Sequence, residues 1–75
     1  MKLPVLSGRE MVKILKKLGF DVLDQKGSHV IMFGMRDGQK RKPVVPQHPE
    51  IAPGTLLSIL KQAGLTREDL EEALK

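Results

Sequence analysis

Residues 20–33 read FDVLDQKGSHVIMF, two apolar segments on either side of a polar one. Residues 20–23 and 29–33 are rich in β-branched and aromatic side chains, which favour β-strands. Residues 25–28 between them are typical of a turn, because glycine and small polar residues adopt turn conformations readily. The sequence therefore predicts a β-hairpin at this point.

A third strand is predicted at residues 39–45. It follows Asp37 and Gly38, a pair that strongly favours chain reversal. Proline has no backbone N–H with which to pair in a sheet, so it is confined to strand ends and edges. Pro43 and Pro46 are therefore expected to limit the length of this strand or to place it at the edge of the sheet.

An amphipathic helix is predicted before the hairpin. Ser7 and Glu10 have the spacing of a capping box, in which a hydroxyl and a carboxylate bind free backbone N–H groups at a helix start. The helix should begin at Gly8 and end at Gly19, because glycine is favoured just after the last helical turn. Apolar residues recur along it at steps of three and four and so form one apolar face, which consists of Met11, Ile14, Leu15 and Leu18.

Two more helices are predicted after the strands. Residues 47–53 contain prolines that cannot donate backbone hydrogen bonds, so we expect an ordered loop there. A second helix then ends at Gly64, and a capping pattern at residues 66–69 begins a short acidic third helix. The order of helix, three strands, helix and short helix predicts an α+β fold in one domain that spans residues 1–75. The predicted apolar face of the second helix consists of Leu56, Leu57, Ile59, Leu60 and Ala63.

The composition limits what the protein can be. A chain of 75 residues builds one small core, and the absence of cysteine excludes disulfides and thiolate zinc sites. The two histidines have no neighbouring ligand residues at suitable spacing, so we expect no metal and no cofactor. The apolar stretches are too short to span a bilayer, which needs about 20 residues, and the start of the chain lacks the apolar segment of an export signal. We therefore expect a cytoplasmic protein.

Positive charge is concentrated in the first part of the chain. Residues 1–42 contain ten Lys or Arg against four acidic residues, an excess of six, whereas residues 43–75 contain three against five. Such a surface suits the phosphates of a nucleic acid and equally suits an acidic protein. Phe20 and Phe33 are expected in the core, which leaves no aromatic platform on which bases could stack.

The densest basic run is Lys40, Arg41 and Lys42, on the predicted third strand. It could follow an RNA backbone, although a solvated strand face is the commoner role of such a run. We expect these residues to lie beside His29 across the sheet, which favours the RNA-binding interpretation.

His29 is a candidate for chemistry because it follows Gly27 and Ser28 at the start of a predicted strand. Histidine can take up or release a proton near neutral pH, and a positioned acid or base contributes about 10²- to 10⁴-fold to a rate. RNA supplies its own nucleophile, the ribose 2′-hydroxyl, so cleavage needs a base, an acid and charge stabilisation. Taken alone, His29 is more commonly a structural turn or strand residue, and His48 is also interpreted as structural.

Five motifs together resemble the HicA family of toxins, in order and spacing, over about residues 6–65. They are SGRE at residues 7–10, LGF at 18–20, KGSH at 26–29, VPQH at 45–48 and PGTL at 53–56. The resemblance implies a fold related to the double-stranded RNA-binding domain, with two helices on one face of a three-stranded antiparallel sheet in the order α-β-β-β-α. Residues 66–75 form an extra acidic segment outside the family's pattern.

The resemblance also implies a metal-independent endoribonuclease that cuts mRNA and blocks translation, with His29 as its catalytic residue. By that analogy we hypothesise that Lys26 stabilises negative charge, Gly27 permits the turn and Ser28 orients the imidazole or the phosphate. A HicB-type antitoxin would cover the basic face. Two alternatives stay open: a non-catalytic double-stranded RNA-binding module, and a domain whose basic face binds only an acidic protein partner.

Overall fold

Within residues 3–75, which are the residues that the computed structural model describes, three helices accompany one antiparallel sheet. The elements are α1 (Gly8–Lys17), β1 (Asp21–Lys26), β2 (His29–Arg36), β3 (Gln39–Arg41), β4 (Val44–Pro46), α2 (Pro53–Ala63) and α3 (Arg67–Ala73). The predicted α+β class and element order are confirmed, and the arrangement is consistent with a fold like the double-stranded RNA-binding domain. No helix in this part of the chain is long and apolar enough to cross a membrane.

β2 is the central strand of the sheet. β1 pairs antiparallel with one side of it, and β3 and β4 pair in succession with the other side. β3 and β4 pair with β2 in one continuous register, without a shift. In the gap between β3 and β4, the backbone N–H of Met32 donates to the carbonyl oxygen of Pro43 at 2.9 Å. The two strands are thus halves of the predicted third strand, interrupted where Pro43 has no N–H of its own to donate.

Tight turns join these strands. Gly27 and Ser28 alone form the turn between β1 and β2, so it is shorter than the predicted one. Gly27 has a φ of +58°, in the left-handed region where glycine is favoured. Asp37 and Gly38 reverse the chain between β2 and β3, and Gly19 follows the end of α1 with a φ of +98°, both as predicted.

The core lies between the helices and one face of the sheet. Side chains alternate along β2, so Val30 and Met32 enter the core, whereas Ile31 and Phe33 are half-buried on the opposite face. We call the face with Val30 and Met32 the inner face and the face with Ile31 and Phe33 the outer face. Phe20 is buried as expected, but the expectation for Phe33 was wrong, because strand alternation turns it away from the helices.

The predicted apolar faces of α1 and α2 enter the core. Leu57 of α2 departs from them because it is exposed, and Leu18 is only half-buried against the core. The buried side chains are Met11, Ile14 and Leu15 of α1, Leu56, Ile59, Leu60 and Ala63 of α2, and Leu70 and Ala73 of α3.

The capping boxes predicted at the starts of α1 and α3 are both present. At α1, the Ser7 hydroxyl accepts the backbone N–H of Glu10 at 3.1 Å, and the Glu10 carboxylate accepts the backbone N–H of Ser7 at 2.9 Å. The pKa of Glu10 is lowered, mainly because its carboxylate accepts the hydrogen bond from the Ser7 backbone. Thr66 and Asp69 make the same reciprocal pair at α3.

Polar contacts fasten α3 to the rest of the molecule. The Asp69 carboxylate lies 3.2 Å from the guanidinium of Arg36 in β2. At the other end of the helix, the ammonium group of Lys17 in α1 donates to the carbonyl oxygen of Ala73 at 3.0 Å. The buried side chains of α3 join the core. The acidic segment at residues 66–75 therefore packs as part of the fold.

Asp69→Asn should destabilise the protein at neutral pH and have little effect in acid. The hydrogen bond from the Thr66 backbone, with a further contribution from Arg36, lowers the pKa of Asp69 below its ordinary value of 3.8. A carboxyl group with a lowered pKa in the folded state stabilises the fold above its unfolded pKa, and this contribution disappears as the pH falls through the folded value. Urea unfolding of both proteins at pH 7 and below about pH 3 measures the difference, and an equal difference at both pH values would contradict the prediction.

Candidate functional site

His29 lies at the start of β2, directly after the two-residue turn. It pairs across the sheet with Lys26 on one side and with Pro46 on the other. Directly opposite residues in an antiparallel pair have Cβ atoms about 4.5–5.5 Å apart, so Lys26 and His29 are neighbours on the outer face. Both side chains are exposed. The imidazole and the ammonium group can therefore contact the same ligand from solvent.

The loop after β4 holds this turn in place. The backbone N–H of Gln47 donates to the carbonyl oxygen of Ser28 at 2.6 Å. In the same loop, the carbonyl oxygen of His48 accepts the backbone N–H of Gly8, at the start of α1, at 3.0 Å. Segments distant in sequence thus fix the backbone around His29 while its side chain stays exposed. His48 takes part through its backbone carbonyl, and its side chain is exposed.

The basic run on the third strand is divided between the two faces of the sheet. Lys40 pairs with Met35 on the outer face, and Lys42 shares that face because side chains alternate along the strand. Met35 is six residues from His29 along β2, which at roughly 3.3 Å per residue corresponds to about 20 Å. The structure thus places both lysines farther along the outer face, and not beside His29 as expected.

Arg41, the middle residue of that run, faces the helices. It pairs with Gly34 on the inner face, and its guanidinium packs over Gly64, where an added Cβ atom would lie 3.0 Å from the Arg41 Nε. Gly64 is the C-cap of α2, and the dipole of a helix favours a cation at this end. Arg41 therefore lies against the end of α2, where its buried Nε has no hydrogen-bond partner within residues 3–75, and is turned away from the face that carries His29.

An apolar band extends from His29 along the outer face, and its far end lies beside the two outer-face lysines. It consists of the half-buried Ile31, Phe33 and Val44 and the exposed Met35. This band could not be predicted from the sequence, because residues 30–33 are apolar on both faces of the strand, which hides the two-residue alternation. Only the pairing with the neighbouring strands shows which of these side chains leave the core.

Comparison with known proteins identifies the family. A family model described as HicA toxin of bacterial toxin-antitoxin matches residues 8–65. The matched segment includes α1, the turn before His29, the loop with Gln47, and α2. No curated protein and no solved structure matches the chain. Since the family match covers more than half of the 75 residues, this chain belongs to the HicA family, the toxins of bacterial toxin–antitoxin systems.

Proposed function

We propose that this HicA-family toxin is an endoribonuclease that cuts mRNA in the cytoplasm and thereby blocks translation. The placement of His29 carries the proposal. Its imidazole is exposed, its backbone is paired with a strand on each side, and its side chain lies directly across from that of Lys26. A proton-transfer group beside a cation is what RNA cleavage requires, because the RNA itself supplies the nucleophile.

The proposed reaction is a transesterification at one phosphate of the RNA. His29 accepts the proton of the ribose 2′-hydroxyl, the 2′-oxygen bonds to phosphorus, and the bond from phosphorus to the 5′-oxygen of the next nucleotide breaks. The departing 5′-oxygen takes up a proton, which leaves a 2′,3′-cyclic phosphate on one fragment and a 5′-hydroxyl on the other. Lys26 stabilises the negative charge that develops on the phosphate oxygens. The reaction as proposed uses no metal ion and no cofactor.

RNA contacts are proposed around the turn and along the outer face. Gly27 permits the tight turn, and Ser28 orients the imidazole or the scissile phosphate. Lys42 and Lys40 bind phosphates at about 13 and 20 Å from His29, as the rise per residue along β2 indicates. Arg41 is left out of this RNA-binding set because of its contact with the end of α2.

We also propose that a HicB-type antitoxin neutralises the toxin by covering the outer face around His29. The matched family is that of toxins with an antitoxin partner. The outer face combines cations with the exposed Met35 and the half-buried Phe33, and interface cores in proteins are rich in such methionine and aromatic side chains. Acidic residues of the antitoxin would complement Lys26 and the other cations.

Incubation of the purified protein with a defined mRNA in the presence of EDTA tests the proposed activity. We expect fragments that end in a 2′,3′-cyclic phosphate and fragments that begin with a 5′-hydroxyl, identified by mass spectrometry. Replacing the ribose at a mapped cleavage site by deoxyribose should prevent cleavage at that site and leave the others unchanged. Tight RNA binding without cleavage would instead favour the non-catalytic RNA-binding module.

A further inference from the structure

A second cationic surface lies on the inner side of the hairpin, in an open cleft of about 270 Å³ between α1 and β1. Arg9, Lys13 and Lys16 form one wall of the cleft. They recur at steps of four and three residues, so they share one face of α1. The reaction proposed above uses none of these three cations.

No carboxylate lines this cleft within residues 3–75. The acidic residues of β1, Asp21 and Asp24, pair with outer-face residues of β2 and therefore lie on the outer face. Glu10 of α1 is engaged in the capping box at the helix start. The positive charge along the cleft is therefore not balanced by acidic groups within it, and the cleft attracts anions.

The rest of the lining suits a sugar–phosphate chain. The side-chain amide nitrogens of Gln25 and Gln47 each donate one hydrogen bond to a backbone carbonyl oxygen, of Gly27 and Val45, and the second N–H of each amide can donate to a phosphate oxygen. Three valines complete the lining, and their methyl groups can contact ribose carbons: Val12, Val22 and Val30. No aromatic side chain lines the cleft in the part of the chain that the structure describes, so bases have nothing on which to stack. Such a surface contacts the nucleic-acid backbone and does not discriminate between base sequences.

The cleft is continuous with the turn that precedes His29. Gln47 lines the cleft while its backbone N–H binds the carbonyl oxygen of Ser28, and Val30, the residue after His29, also lines it. An RNA strand leaving His29 along β1 on the outer face would meet the carboxylates of that strand. A strand that passes over the turn instead meets the cations of α1, so electrostatics favours the second path.

We infer that the cleft between α1 and β1 binds the phosphate backbone of the RNA strand as it leaves the scissile phosphate. Arg9, Lys13 and Lys16 are the phosphate-binding residues of this site. The inference rests on the proposed RNA-cleaving function and adds to it a substrate-binding site on the other face of the hairpin. The site contributes to affinity for every RNA sequence and does not select the position of the cut.

Fluorescence anisotropy with a labelled, mixed-sequence 2′-O-methyl RNA oligonucleotide tests the inference. This probe lacks the free 2′-hydroxyl, so its binding is measured whether or not the protein cleaves RNA. The test variant carries Arg9→Gln, Lys13→Gln and Lys16→Gln. The matched control carries Lys61→Gln, Arg67→Gln and Lys75→Gln, which also remove one arginine and two lysines from exposed helical or terminal positions.

The test variant should bind the probe at least about tenfold more weakly than the control at equal salt. The slope of log K against log salt concentration should fall by about 2, because each phosphate contact on a single strand contributes about 0.7. Thermal melts establish that both variants are folded. If the test and control variants lose RNA affinity equally, the loss reflects the lower net positive charge of the protein and not contacts in the cleft, and the inference is overturned.

Unchanged RNA affinity of the test variant, together with weaker binding of a HicB-type antitoxin, would also overturn it and assign the cleft to the protein partner. Failure of the cleavage proposal would look different. In that case the wild-type protein leaves cleavable RNA intact, while the affinity difference between the test and control variants persists.

Discussion

His29→Ala should lower the rate of RNA cleavage by at least about 100-fold, and by up to about 10⁴-fold, since this is the usual contribution of a positioned acid or base. Induced expression of the wild-type toxin should arrest growth and degrade mRNA, whereas the variant should do neither. The affinity for 2′-O-methyl RNA should stay within a few-fold, because the cations that bind phosphates remain. Single-turnover cleavage of a defined RNA measures the loss directly.

His48→Ala is the matched control for this variant. It also removes an exposed imidazole near the turn, but the contribution of His48 to the site is its backbone carbonyl, which alanine retains. We expect this control to cleave at nearly the wild-type rate. Equal cleavage by wild-type protein and a folded His29→Ala variant would make His29 structural and remove the catalytic assignment.

Gly8→Ala should destabilise the protein by about 2 kcal/mol, the middle of the range for an added methyl group in a packed site. An added Cβ atom at Gly8 would overlap the carbonyl oxygen of Pro46 and lie 2.7 Å from the Cα of Gln47. Both of these are backbone atoms that cannot rotate away. To relieve the overlap, α1 must separate from the loop that holds the turn before His29, so cleavage should be reduced together with stability.

Gly54→Ala is the control for the effect of the methyl group itself. Gly54 lies in the first turn of α2 and an added Cβ atom there meets nothing within 4 Å, so alanine should be neutral or stabilise by about 0.5 kcal/mol. Thermal unfolding compares the two, and about 2 kcal/mol corresponds to a decrease in Tm of roughly 10 °C for a domain of this size. Equal melting temperatures for Gly8→Ala and Gly54→Ala would contradict the predicted overlap.

Features that depend on residues close together in sequence could be predicted well. The capping boxes at Ser7 and Thr66 and the reversal at Asp37 and Gly38 were confirmed, because each is decided by hydrogen bonds and dihedral angles within a few residues. The order of elements and the α+β class follow from these local features together with the spacing of apolar residues.

Features that depend on pairing between distant residues could not be predicted. The sequence shows Lys40, Arg41 and Lys42 as one basic run, but only the register with β2 assigns Arg41 to one face and its neighbours to the other. The same limit applies to the candidate site. His29 could be proposed from its motif, whereas the cleft beside α1 exists only because the fold places Val22 and Gln25 of β1 across from Lys13 and Lys16.

The hydrogen bond between Gly8 and His48 joins residues that are forty positions apart in the chain. Together with the bond from Gln47 to Ser28, it means that the surroundings of His29 are incomplete until the loop after β4 has been synthesised and has docked. During translation the hairpin emerges first, since domains are made from the N-terminus onward. Under the proposed function, a nascent toxin chain therefore gains a complete cleavage site only after the loop after β4 has left the ribosome and docked.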